Sequence, residues 1–532
     1  MNSDNETFKL REQRLEKLKN LEEIFQIDPY IINFKDSNTN SKIIWQDFKK
    51  NRLLSQNFHE KFNKLENSEC SEELIWVSGR IHSSRNSAMF LDIYDDKGKI
   101  QIVTERNELS PDYSKEDLHF LDLLDKGDII AVQGFPYRTP RGELSLKSKE
   151  IFILSKAIQP PPEIIENKRR RLGLTDLEVR YRQRYLDLMV NHEVKEVFKK
   201  RSEIFWNLRN ILHEKDFMEF ETPVLQTEAG GANARPFITH HNALGMDLYL
   251  RIATELHLKR LLVGGFEKIY EIGRIFRNEG ISTRHNPEFT SIEIYQAFAD
   301  YEDVLNLTEE LISKLNEKCN ACEKITWEKQ EINLARPWKK ITMLDLVEQI
   351  TGKRFENCNL EQAKLWAKEI GLNTDDVKSI GEILILCFEE RCEKTLIQPT
   401  FVLSYPWENS PLAGNSPEED LLPVSNYSKD NLPKAQYAHR FELFIGGKEI
   451  ANGFTEQNDP RRQKAAFERQ NKLKEQGDLE AHPIDHDFIT ALEFAMPPAG
   501  GVGIGIDRLL MLLTNSDSIR DVILFPTMKP IN

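Results

Sequence analysis

The chain has 532 residues, a formal net charge of -14 at pH 7, 39% hydrophobic and 30% charged residues, and six cysteines. That length suits two or three domains with a sizeable core, and no apolar run approaches a membrane span, which excludes both a small module and a helical membrane protein. The acidic balance excludes a general coat of positive potential for nucleic acid, so any such contact must be local.

The opening residues MNSDNETFKL lack the apolar stretch of a signal peptide. Cys70, Cys319, Cys322, Cys358, Cys387 and Cys392 are too scattered for a disulfide framework. A reducing cytoplasm is therefore expected. Cys319 and Cys322 form a lone CxxC without a second pair at zinc-ribbon spacing, and they read as ordinary thiols.

Residues 6–26 repeat apolar positions at Phe8, Leu15, Leu18, Leu21 and Phe25 among charges, which predicts an amphipathic helix ending before Pro29. From Leu74 to Leu154 the pattern changes to short strands with a turn at Asp96 to Gly98, and this predicts a small barrel. Pro160, Pro161 and Pro162 then punctuate the chain. The basic run Lys168, Arg169, Arg170 and Arg171, followed by Arg180, Arg182 and Arg184, reads as a solvated linker more readily than as a nucleic-acid patch. The expected organisation is a helical extension over 1–66, a barrel over 67–156, a linker over 157–190 and a second domain over 191–532.

The second domain opens on a helical stripe of Val194, Val197, Phe198, Ile204, Phe205, Leu208, Ile211 and Leu212. FMEFETPVL follows, helix giving way to strand, and then a glycine loop at Gly230 and Gly231. Lys268 to Arg277 and Glu288 to Phe298 are strand-like runs around a polar loop with Gly280, Asn286 and Pro287, a long antiparallel hairpin. Residues 300–400 carry mixed helical patterns and no motif, and Pro411–Gln436 has loop composition. A second hairpin turns at Gly446 and Gly447, and GGVGIGIDRLLMLLTN is a glycine-rich strand feeding a helix.

Strand parity puts Phe289, Ser291, Glu293 and Tyr295 on one face of the first hairpin, and Ile292 and Ile294 on the other. A flat ring, a carboxylate and a phenol beside Arg277, Arg284 and His285 suit a nucleotide next to a small cationic substrate, because guanidinium forks match phosphate oxygens. Taken alone, the segment is more simply a half-buried hairpin with solvated charges. Arg508, at the head of a helix, adds a guanidinium to the positive end of the helix dipole. Gly503 and Gly505 by themselves equally mark close strand packing.

FMEFETPVL with Pro223, FRNEG through Gln296, and GIGIDRLL with Arg508 resemble, in order, the three motifs of class II aminoacyl-tRNA synthetases. Nearly the whole chain, including GGANARPFITHHNAL, RNEGISTRHNPEFT and IRDVILFPTMKP, is similar to the lysyl-tRNA synthetases of that class. The resemblance implies an α+β fold, with an N-terminal OB-fold β-barrel that reads an anticodon and a catalytic domain built on an antiparallel β-sheet flanked by helices. It implies a homodimer, with Pro223 near the two-fold axis. The implied reaction activates L-lysine with ATP and Mg2+ and transfers it to the 3′ end of tRNA(Lys).

Aspartyl and asparaginyl synthetases share this architecture, so the choice rests on the side-chain pocket, for which the resemblance nominates Glu293, Tyr295 and Glu456. Two carboxylates and a phenol neutralise an ammonium and repel an aspartate. The same resemblance assigns the substrate's α-ammonium to Gly231 and Glu255, and its amino-acid end to Asn452. Arg277 would grip the α-phosphate, Arg508 the γ-phosphate and His285 the phosphate tail. Phe289 and Arg508 would sandwich the adenine, with Glu279 and Asn286 at the ring edge. Glu442 and Glu449 would hold magnesium, although each reads equally as a strand-surface glutamate. Glu449 also lies on the wrong strand parity relative to Asn452 and Glu456, so a bulge is required.

In the barrel, Phe90 would stack on a base while Arg80, Gln101 and Glu143 hydrogen-bond base edges. The competing assignment for Phe90 is plain barrel core. Two other enzymatic or binding readings compete: a lysine ligase acting on a protein, disfavoured by the barrel, and a non-catalytic tRNA-binding paralogue, disfavoured by Arg277, Glu279, Glu442, Glu449 and Arg508 together.

Overall fold

The computed structural model describes residues 2–31, 39–109, 113–115, 118–166, 169–375, 377, 379–414, 437–475 and 484–531. Lys168 and most of the loop expected over Pro411–Gln436 lie outside them. The chain forms two compact units, Met1–His192 and Glu193–Asn532. No described helix is long and apolar enough to cross a membrane.

In the first unit, the strands Ile75–Arg85, Phe90–Tyr94, Lys99–Val103, Leu144–Ser155 and Ile129–Arg138 close into a barrel in that order. All pairings are antiparallel except that of Lys99–Val103 with Leu144–Ser155. Alternation explains the filling: Leu91, Ile93, Ile100 and Ile102 point into the core, leaving Phe90, Asp92 and Gln101 for the opposite face.

The predicted N-terminal helix runs over Asn2–Glu23 and docks on the barrel. Leu21 and Phe25 enter the barrel's own core cluster. Arg14 fixes the helix by donating to the carbonyls of Ala157 (2.8 Å), Gln159 (3.2 Å) and Lys126 (2.9 Å), and Lys17 pairs with Asp125 at 2.7 Å. An arginine satisfying three carbonyl groups removes their desolvation penalty, which explains why a charged residue tolerates burial there.

The second unit is built on an eight-stranded sheet ordered Met218–Glu219, Lys268–Phe276, Glu288–Ala297, Ala499–Gly505, Lys448–Thr455, Arg440–Ile445, Thr400–Leu403 and Lys339–Thr342. The antiparallel expectation holds for the six central strands, and the outermost pair at each edge is parallel, so the sheet is mixed. One face carries Ile292, Ile294, Val502, Ile504, Leu443 and Ala451 against the helices His192–His213, Tyr301–Asn320 and Ile506–Thr514. Each buried Ile, Leu or Val side chain there is worth about 1.5–3 kcal/mol. The other face is left for polar groups.

The stretch without motifs, 300–400, is scaffold. Its strands extend the sheet edge, while the helices Met343–Thr351, Leu360–Glu369 and Ile380–Cys387 close a separate apolar cluster with Phe355, Phe388 and Phe444. Cys387 and Cys392 are buried free thiols within it, and Cys319 and Cys322 are free as well.

Candidate active site

A cavity of about 430 Å³ opens on the polar face of the large sheet. Gly231, Glu255, Arg277, Glu279, His285, Asn286, Phe289, Glu293, Tyr295, Glu442, Glu449, Asn452 and Arg508 all line it. Strand parity is the reason: Phe289, Ser291, Glu293 and Tyr295 project from the hairpin strand next to Gly501, Gly503 and Gly505 of the glycine strand. Glu456 does not reach the wall. It lies fully buried behind Gly501, where an added Cβ would come within 2.1 Å of its Oε1 and 2.5 Å of the Tyr295 ring.

The glycines of this strand divide by purpose. Gly500 packs against backbone, its Cβ position 2.5 Å from the Asp300 carbonyl oxygen. Gly503 and Gly505 have nothing closer than 3.8 Å and 3.9 Å respectively. Close strand packing therefore does not explain them. Both border open cavity, where a side chain would occupy ligand space.

One half of the cavity is a carboxylate pocket. Glu293 accepts from the Thr254 N–H (3.1 Å) and the Tyr295 hydroxyl (2.9 Å), and no ion pair of Glu293 occurs among the described residues. Burial, reinforced by the charge of Glu255, pushes it up to about 7. Burial and the neighbouring carboxylates hold the Tyr295 phenol well above its ordinary value, so it stays a donor. Glu255 pairs with Lys259 at 2.5 Å, and the same ammonium pairs with Glu456. Burial pushes Glu456 up to about 8, Lys259 opposes the shift, and Glu255 and Glu293 add to it.

The other half is cationic. The Arg277 guanidinium carbon lies 5.3 Å from the Phe289 ring centroid, and its buried Nε has no hydrogen-bond partner among the described residues. Arg508 donates to the Glu449 carbonyl (2.9 Å) and carboxylate (3.2 Å), while its other terminal nitrogen lies 3.3 Å from His285 Nε2. Burial first, then Arg508, lowers the His285 pKa, so the ring is neutral at pH 7. Facing a guanidinium, Nε2 acts as acceptor, which assigns the ring proton to Nδ1, 3.0 Å from Ser282 Oγ. Asn286 donates to the Glu288 carbonyl at 2.6 Å and keeps its buried Oδ1 without a partner.

The helix bearing Arg508 is clamped to the hairpin strand. Asp507 accepts from the Thr290 N–H at 2.7 Å and pairs with Arg201 of the long helix at 2.5 Å. The Ile519 N–H donates to the Thr283 carbonyl at 2.8 Å and anchors the hairpin loop.

Glu442 and Glu449 share the cavity wall because of a bulge. Leu443 pairs with Ala451 but Phe444 pairs with Glu449, which leaves Ile450 as the extra residue and shifts the parity of Glu449. Glu442 accepts from Tyr405 (2.8 Å) and Arg440 (2.6 Å). Burial pushes it up to about 7, Arg440 opposes this, and the charge of Glu449 adds to it. Two carboxylates, one of them disfavoured as an anion, suit a hard divalent cation completed by phosphate oxygens. No cluster of three or more His, Cys, Asp or Glu among the described residues could hold a metal unaided.

The barrel candidates lie in the other unit. Phe90 is half-buried, away from the core residues Leu91 and Ile93, with the Arg85 guanidinium 5.8 Å from its ring centroid. Phe90 pairs with Val103 and Gln101 with Asp92, so Phe90 and Gln101 are offset by two residues. Gln101 is bound to Ser145 (3.0 Å), Ser145 also donates to the Glu143 carbonyl (3.2 Å), and Glu143 pairs with Lys99 (2.8 Å). Arg80 is tied to the Gly127 carbonyl at 2.7 Å.

Reasoning from sequence missed two groups at the cavity wall, Arg440 and Gly501, and one behind it, Lys259. Arg440 binds Glu442, Asn452 (3.1 Å) and the Asn409 carbonyl (3.1 Å), and its position two residues before Glu442 on one strand face was a usable signal. Lys259 follows Glu255 at helical i,i+4 spacing. Gly501 carried no signal, because its neighbours come from other strands.

The comparisons with known proteins concern the sequence of both units. Residues 176–529 match the family model described as tRNA synthetases class II (D, K and N), and residues 75–154 match that of the OB-fold nucleic acid binding domain. The chain is similar to the lysine–tRNA ligase of Nostoc punctiforme, 46% identical over 529 residues, covering 98% of this chain and 88% of the relative. It is also similar to the lysine–tRNA ligase of Carboxydothermus hydrogenoformans (48% over 520 residues, 97% of each chain). The lysine–tRNA ligase of Gloeobacter violaceus is 50% identical over 474 residues, 88% of this chain and 91% of the relative.

Proposed function

The chain belongs to the lysine–tRNA ligases of the class II synthetase family, and from that premise we propose how its cavity joins L-lysine to tRNA(Lys) at the expense of ATP. The observation that carries the reading is Glu293, a buried carboxylate held by Thr254 and Tyr295 with no cation paired to it among the described residues. Such a group costs several kcal/mol unless a cation joins it. The ε-ammonium of lysine supplies that cation, and an aspartate side chain would be repelled.

In the first step the lysine carboxylate attacks the α-phosphorus of ATP, forming lysyl-adenylate and releasing pyrophosphate. Glu255 and Gly231 hold the α-ammonium, and Asn452 orients the amino-acid end. Arg277 takes the α-phosphate through the donor that has no partner among the described residues. Arg508 takes the γ-phosphate and His285 the tail, the phosphate charge favouring the protonated ring so that Nε2 becomes a donor, while Phe289 with Arg508 sandwiches the adenine and Glu279 and Asn286 meet its edge. Glu442 and Glu449 are the carboxylates that would hold Mg2+, which when bound neutralises phosphate charge. The substrate carboxylate is itself the nucleophile, so the chain supplies positioning and electrostatics and no base. In the second step the 3′-hydroxyl of the terminal ribose attacks the adenylate carbonyl, releasing AMP and a proton.

Gly501→Ala is expected to raise the lysine KM at least about tenfold while the ATP KM moves less than about threefold, since the new methyl displaces Tyr295 and Glu456. Equal changes in both constants would contradict the pocket assignment.

For the acceptor, Phe90 stacks on an anticodon base with Arg80, Gln101 and Glu143 at base edges; the Phe90 ring on the outer side of the barrel supports this. A homodimer is supported by exposed apolar groups around Pro223, with Met218 at 46%, Leu225 at 47% and Ile238 at 64% exposure. A monomer by light scattering would contradict it. Six thiols without a disulfide among the described residues suit the cytoplasm. The test of the whole reading is charging of tRNA(Lys) with labelled lysine: acid-precipitable lysine that needs ATP is expected, and its absence with intact tRNA overturns the proposal.

A further inference from the structure

Lys259 is fully buried on the helix Glu255–Val263, yet it does not line the cavity. Its ammonium pairs with Glu255 at 2.5 Å and with Glu456, and it lies 5.3 Å from the Phe454 ring centroid and 6.0 Å from that of Phe488. The helix, the end of a sheet strand and two aromatic rings thus converge on one cation. Glu255 is at the wall, Glu456 is behind it, and Glu293 stands nearby with no paired cation among the described residues.

We propose that Lys259 is a positioning residue for amino-acid recognition, a resident ammonium that holds the Glu255 and Glu456 carboxylates in place and fixes the charge deficit that the substrate must fill. The inference rests on the reading that this pocket takes lysine. Glu255, Glu293 and Glu456 carry three negative charges when ionised, and Lys259 supplies one positive charge. The remaining deficit matches the two ammonium groups of lysine, the α and the ε. An amino acid with one ammonium leaves a buried carboxylate uncompensated, which costs far more than a surface mismatch.

The other charged groups around this cluster are already engaged. Arg440 pairs with Glu442, and Arg260, next to Lys259 on the helix, is held by Asp485 and Asp487 at 2.9 Å each. Tyr295 stays neutral as the donor to Glu293. Removing the Lys259 charge leaves three carboxylates facing one another, and at neutral pH they relieve the repulsion by taking up protons. Burial and mutual repulsion already push Glu456 up to about 8 and Glu293 up to about 7 with the ammonium present. Lysine binding to the variant must therefore expel more protons than binding to the native protein.

The test compares the full-length native protein with Lys259→Met in ATP–pyrophosphate exchange between pH 6.5 and 9. At pH 7 the variant is expected to show a lysine KM raised at least about tenfold with the ATP KM changed less than about threefold. The lysine defect is expected to shrink as pH rises, because hydroxide replaces the lost ammonium in emptying the carboxylates of protons. A lysine KM unchanged from native overturns the proposal. Parallel losses in lysine and ATP KM, independent of pH, overturn it as well and identify a purely structural role. Lys259→Gln, which keeps a donor of similar reach without the charge, carries the same expectations if the Met variant does not fold. Native protein that fails to exchange with lysine strikes the pocket reading itself. Normal native exchange with an unaffected variant strikes only the role of Lys259.

Discussion

Replacing Arg277 by Ala is expected to lower lysine-dependent ATP–pyrophosphate exchange by about 10² or more, with most of the loss in kcat. Its guanidinium lies at the cavity wall next to the Phe289 ring, and its Nε is buried without a partner. A donor left unmatched in the protein is costly unless the ligand completes it, and negative charge on the α-phosphate grows as the pentavalent arrangement forms. In the proposed step the substrate carboxylate is itself the nucleophile, so the loss of one preorganised charge is not compensated by other chemistry. Exchange within about threefold of native would remove Arg277 from the reaction.

Glu293→Gln is expected to raise the lysine KM by about 10²-fold, the scale of breaking a buried charge pair, with the ATP KM nearly unchanged. Gln preserves shape and an acceptor for Thr254 or Tyr295 but cannot neutralise an ammonium. The pH dependence separates charge from shape. Burial raises the Glu293 pKa up to about 7, so below that pH the pocket holds a proton that lysine must displace. Native lysine affinity is expected to fall as pH drops below about 7, up to about tenfold per unit for one proton, and to level off on the alkaline side of the Glu456 value of about 8. Removing the Glu293 carboxyl should flatten the part of the profile near 7. An unchanged lysine KM in Glu293→Gln would contradict the cation pocket.

Much of the site was legible because strand parity is a local rule. Phe289, Ser291, Glu293 and Tyr295 share a face by spacing alone, and the sheet turns that face to the cavity while Ile292 and Ile294 enter the core. Glu449 marked the limit of that rule. Its parity demanded a bulge, and the bulge at Ile450 depends on pairing with the neighbouring strand, which no single-strand pattern reveals. Glu456 follows Thr455, the last residue of its strand, and is screened from the cavity by its neighbours, so its partner is Lys259 of a distant helix. Phe90 opposes Val103 and Gln101 opposes Asp92, a register that depends on the pairing of two strands and that no single-strand pattern reveals. Residues 300–400 carried no motif because they build an apolar support at the sheet edge, where many sequences satisfy the same packing.

On the proposed pocket, the charge pattern selects one amino acid without a separate discriminating element. Buried carboxylates act as attraction for a second ammonium and as repulsion for an acidic side chain in the same geometry. The measurement that tests this most directly is ATP–pyrophosphate exchange with each of the twenty amino acids, in magnesium buffer without tRNA. Exchange with lysine alone is the predicted result. Exchange with aspartate or asparagine, or with no amino acid even after tRNA is added, would contradict it.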